Sequence, residues 1–154
     1  MGLDMASMTN LPSDNPWATG RPSSADAAKL LLRVTLGVLI ALHGIGKING
    51  GISAIVAMVG KSGLPDALAY GVYLGEVVAP GLLVIGLWTR PAAIVIAINM
   101  VVAVLLVHAG QLATLTPNGG WALELQALYL VGALAVALLG AGRISVGGAQ
   151  GRWN

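Results

Sequence analysis

Four long apolar stretches, at 28–48, 67–88, 91–109 and 121–141, set the pattern of the chain. Each supplies the ~20 mostly apolar residues that crossing a bilayer core of ~30 Å requires. The pattern predicts an all-α, integral-membrane four-helix bundle. Ile52 to Val59 is apolar but far too short to span, and predicts a re-entrant or interfacial helix in the first loop. Turn signals separate the stretches at Asn49-Gly50-Gly51, Leu87-Trp88-Thr89-Arg90-Pro91 and Thr116-Pro117-Asn118-Gly119-Gly120. Ser24 or Asp26 is expected to cap the first helix, where backbone N–H groups lack partners. Pro91 suits the first turn of the third, where its missing N–H costs nothing. Trp121 is expected to open the fourth span as an interfacial anchor. Residues 1–26, interrupted by Pro12, Pro16 and Pro22, read as a mobile polar tail, 27–147 as the four-span domain and 148–154 as a short tail.

Composition agrees with the pattern. Of 154 residues, 56% are hydrophobic and 9% charged, where a soluble domain carries about a quarter charged. A net charge of +2 with scattered basic residues gives no nucleic-acid footprint. The absence of cysteine excludes disulfides, thiolate metal sites and a thiol relay carried by this chain. No basic n-region precedes a cleavable apolar segment, so no signal peptide is expected. Arg21, Lys29, Arg33, Arg90, Arg143 and Arg152 fall on one side of the spans and only Lys47 and Lys61 on the other. That asymmetry places both termini in the cytoplasm.

Candidate chemistry lies in the ionisable residues inside the spans. A charge at membrane depth costs ~2.5–3.5 kcal/mol on insertion scales, so it persists when paired, hydrated or functional. Arg33, His43 and Lys47 share one stripe of the first span at ~100° per residue. Glu76 sits near mid-membrane in the second, four residues before Pro80. That proline removes the N–H that would bond the Glu76 carbonyl, so a carboxyl group and a freed backbone acceptor occupy one turn. His108 and Glu124 lie near the outer ends of their spans. Asn99 falls ~180° from His108 around the third helix, so the two are not expected to share the bundle axis. Neither glutamate has a histidine three residues on, and no Walker or Rossmann glycine pattern occurs, so no metal, haem or nucleotide is indicated.

Several short motifs resemble the DoxX family of small bacterial membrane proteins. They are Arg33, Gly44-Ile45-Gly46-Lys47, Gly75-Glu76, Gly86-Leu87-Trp88-Thr89-Arg90-Pro91-Ala92-Ala93 and Gly140-Ala141-Gly142-Arg143-Ile144-Ser145. Ala141 replaces the family's usual proline, and Gly147 stands where an acidic residue often follows. The resemblance covers roughly 28–147 and implies a four-helix protein of the bacterial inner membrane. The family takes its name from the small subunit of a thiosulfate–quinone oxidoreductase. It thus implies a quinone-linked redox role as the membrane subunit of an assembly, with quinone as ligand and a protein partner supplying electrons. A homo-oligomer is left open.

In that reading Glu76 and His43 exchange protons, while Arg33, Lys47, His108 and Glu124 contact substrate. Two alternatives stand beside it: a small-molecule or proton binding and transport module, and a non-catalytic membrane scaffold for a soluble enzyme. The orientation is testable by itself. A reporter that works only outside the cytoplasm, fused after Asn154, is expected to stay inactive.

Overall fold

A computed structural model describes residues 22–148, 151, 153 and 154. Most of the expected polar tail, with Arg21 and Arg152 of the basic-residue asymmetry, lies outside the described residues. Among those described the fold is helical, with a single isolated bridge between Leu115 and Trp121. The helices are α1 (Ser24–Gly50), α2 (Ser53–Lys61), α3 (Asp66–Ile85), α4 (Thr89–Val107) and α5 (Glu124–Leu139). α1, α3 and α4 are long and apolar enough to cross a membrane, and α5 is a shorter apolar helix of 16 residues. α2 is the short helix expected in the first loop.

The core runs between the four long helices through Leu36, Ile40, Leu83, Ile96, Ala133 and Val136. Alanines at 79, 92, 93, 97 and 133 bring backbones close, which is how helices pack where lipid is as apolar as leucine. Leu42, Leu105, Leu128 and Leu138 face outward as a lipid-facing surface.

Three boundaries differ from expectation. The α1 cap is Ser23, whose side chain accepts from the Asp26 N–H while the Asp26 carboxylate accepts from the Ser23 N–H. Asp26 thus closes a reciprocal capping box from the third position rather than capping the helix itself. The fourth helix starts at Glu124, not at Trp121. The Thr116 N–H donates to Gly120 O at 2.8 Å, and the Trp121 Nε1–H donates to Leu112 O at 2.9 Å. These bonds fold 121–123 into the preceding loop and delay the helix by three residues.

α3 is the third. It is not one α-helix but a 3-10 turn at Asp66–Tyr70, one α turn at Gly71–Tyr73, a π segment at Leu74–Val78 and an α segment at Ala79–Ile85. Pro80 has no N–H to offer the Glu76 carbonyl. The ladder widens there, and the Ala79 N–H bonds Leu74 O, five residues back. The Glu76 carbonyl is pressed against α1, where a Cβ on Gly44 would overlap it.

At the end of the bundle where α1 begins, buried Arg33 fastens three elements. It donates to the carbonyls of Leu83 at 2.7 Å and Val84 at 2.5 Å, in the last turn of α3, and to that of Ile144. The last carbonyls of a helix lack intrahelical donors and carry partial negative charge, so a cation there satisfies both needs. Gly86 follows in the left-handed region at φ 71°, where a Cβ would meet both Ser145 and the Arg33 guanidinium. The expected short tail is partly docked here. Asn154 is buried and accepts from the Thr89 N–H and hydroxyl, and its carbonyl accepts from Arg90 Nε. Arg143 N–H donates to Asp26 Oδ1 at 3.0 Å, tying the same segment to the start of α1.

The close approach of α1 and α3 yields a paired prediction. Gly44→Ala is expected to destabilise by about 1–3 kcal/mol, as overpacking does. Gly46→Ala, which has nothing within 4 Å of its added carbon, is expected to stabilise by roughly 0.5–1 kcal/mol through helix propensity. Thermal unfolding of the two variants in detergent checks the contrast.

Candidate functional site

The opposite end of the bundle holds a partly open, mostly apolar cavity of about 730 Å³. α1, α3, α4 and α5 form its walls, and Ile55, Met58 and Val59 of α2 close over it. α2 is held there by a small separate apolar cluster that joins Ile52 and Val59 to Ala69, Val72 and Leu106.

Lys47, in the last turn of α1, forms an ion pair with Glu76 Oε2. The carboxylate is buried, its side chain 7% exposed, against 28% for that of Lys47. Asn99 of α4 donates from Nδ2 to the other carboxylate oxygen at 3.3 Å, so three helices meet at one acid. The π segment makes this geometry. An extra residue in that turn changes which side chain faces the bundle, and it presents Glu76 to α1 and α4 together.

His43 lies one turn before Lys47 and lines the same cavity. Its ring stands edge-on to Tyr129 of α5, with centroids 5.9 Å apart and planes at 77°. His108 is at the α4 terminus. Its Nδ1 pairs with Gln111 Oε1 at 3.1 Å, which leaves Nε2 to accept from Gln126 Nε2 at 3.4 Å.

His43, Lys47, Glu76 and His108 are therefore brought around one cavity. Arg33 and Glu124 are not. Arg33 is fixed to backbone carbonyls at the far end of the bundle. Glu124 accepts from the Trp121 N–H at 2.8 Å and serves the start of its own helix. The expected separation of Asn99 and His108 is corrected, because both line the cavity. α4 stops at Val107, and His108 adopts φ −118°, ψ 9°, so a 100° rotation no longer applies to it.

Sequence reasoning missed Tyr129 and Gln126, and it did not join Asn99 to Glu76. A polar residue at mid-span opposite the Gly75-Glu76 turn was the available signal for Asn99. Tyr129 and Gln126 gave none, because the phase of α5 depends on a start that the loop delays.

Fold and cavity together define a multi-pass helical membrane protein whose cavity-lining polar groups gather at one end of the bundle. The DoxX family model matches residues 28–109, and the chain belongs to the DoxX family. It is also similar to a Bacillus subtilis (strain 168) protein described as "Putative oxidoreductase CatD", with 31% identity over 84 residues. That alignment covers 54% of this chain and 62% of the relative's length. No solved structure matches the chain.

The ion pair sets up a stability test. Lys47→Met leaves Glu76 without its cation and is expected to cost about 3 kcal/mol, the lower end of what breaking a buried pair does. Adding Glu76→Gln to that variant removes the uncompensated charge and is expected to restore most of the loss. A double-mutant cycle by thermal unfolding measures both.

Proposed function

We propose that this protein is the membrane subunit of a quinone-linked oxidoreductase assembly in the bacterial inner membrane, with both termini cytoplasmic. The observation that carries the reading is Glu76, a buried carboxylate on the wall of an apolar cavity, held between Lys47 and Asn99. An apolar cavity of this size with a few convergent polar groups is the usual form of a small-molecule site. It suits a ring with a hydrocarbon tail.

Reduction of a quinone to a quinol takes two electrons and two protons. The electrons come from a reduced redox centre of a partner protein. Lys47 offers positive charge to an oxygen that becomes negative as electrons arrive. Glu76, a carboxylate beside that oxygen, relays to it a proton that enters through the cavity mouth. His43, one turn away on the cavity wall, passes protons from the mouth. The description of the B. subtilis relative as "Putative oxidoreductase CatD" is in line with this reading.

A second reading, transport of a small molecule or proton without a redox step, draws support from the break in α3 beside Glu76. Proton uptake by vesicles containing the protein but no quinone would favour it.

The test of the redox reading is quinone reduction by membranes that carry Glu76→Gln. A fall of about 10²-fold, within the range of a lost general acid, is expected at unchanged protein level. Wild-type rates in that variant would exclude the mechanism.

A further inference from the structure

Two polar patches line the cavity, and they differ in how fully they are satisfied. At the first, the Glu76 carboxylate has Lys47 on one oxygen and Asn99 on the other. At the second, the His43 and Tyr129 rings meet edge to face. Among the described residues no hydrogen bond reaches the His43 ring nitrogens or the Tyr129 hydroxyl. The only described side-chain polar atoms both sealed from solvent and unpaired are Arg33 Nε and Gln126 Oε1, so the Tyr129 hydroxyl opens onto accessible space. A tyrosine whose ring is buried normally finds a partner for its hydroxyl. Here both residues line the mostly apolar cavity, Tyr129 as a buried side chain and His43 as an exposed one.

Their spacing limits what can answer them. His43 precedes Lys47 by four residues on one face of α1, a rise of ~6 Å at ~1.5 Å per residue. Two oxygens para to each other on a six-membered ring lie roughly 5 Å apart, from carbonyl and ring bond lengths. The geometry points to a two-ended site in which Lys47 and Glu76 take one oxygen of a para-dioxygenated ring while His43 and Tyr129 take the other. The inference rests on the quinone reading above and narrows it. The ligand needs oxygen on opposite edges of its ring, so a single-headed amphiphile such as a fatty acid or a simple phenol fills only half the site. It also assigns Tyr129 a binding role.

The experiment is equilibrium binding to the full chain in lipid nanodiscs, without air. The probes are a short-tailed benzoquinol and the phenol with the same tail and one hydroxyl fewer. Wild type is expected to bind the quinol about tenfold more tightly, the effect of about one hydrogen bond. Tyr129→Phe removes only the hydroxyl, and His43→Phe keeps an aromatic ring. Each is expected to reduce quinol affinity towards that of the phenol and to leave phenol binding unchanged.

A quinol preference that survives in both variants overturns the second subsite and leaves the quinone reading intact. So does equal binding of both probes by wild type. Loss of phenol binding together with quinol binding in both variants also counts against it, because the side chains would then be holding the fold. If wild type binds neither probe, the quinone reading itself falls, and this inference falls with it.

Discussion

A carboxylate among apolar side chains needs a cation in contact, and Lys47 fills that need for Glu76. The requirement reaches well beyond the pair. It brings the end of α1 against the middle of α3, close enough that Gly44 must lack a side chain beside the Glu76 carbonyl. It also depends on the π segment, which exists because Pro80 denies that carbonyl its normal donor. Proline, glycine, lysine and glutamate thus form one linked arrangement, and α4 joins it through Asn99.

The two ends of the bundle solve opposite problems. At the Arg33 end the polar groups are backbone carbonyls, helix starts and a returning chain segment. Arg33, Asp26 and Asn154 each bond groups from segments far apart in the chain and tie them together. At the Lys47 end the helices part, and a cavity persists under α2 with His43 and Tyr129 unpaired among the described residues. The short motifs that carry the resemblance to the DoxX family divide along this line. Arg33, the Gly86–Ala93 hairpin and the Gly140–Ser145 segment meet at the Arg33 end, while Lys47 and Gly75-Glu76 build the cavity end. A motif is thus not in itself a sign of chemistry, since three of these five lie at the end where side chains satisfy backbone.

Much of the fold was legible in the chain. Spans of sufficient length declare themselves because hydrocarbon admits only apolar faces and helices that satisfy their own backbone. Pro80 announced the disturbance at Glu76, since a missing N–H is a covalent fact. The candidate site was legible in part. Glu76 and Lys47 stood out because charges in oil need partners, but the same rule singled out Arg33, whose partners are carbonyls. Nothing in the residue type separates a cation bound for a carboxylate from one bound for a helix end.

The sequence by itself determined that this is a bundle of apolar helices, where they turn, and that an acid and several bases lie within them. Those are local properties, set by side-chain chemistry and by runs of twenty residues. Only the tertiary structure decided which polar groups meet. Helix phase is easily reset: a π turn rotates everything after it, an early stop frees His108 from its helix, and a loop bridge delays α5 by three residues. Each shift turns a side chain towards the cavity or away from it, and each depends on contacts between segments far apart in the chain.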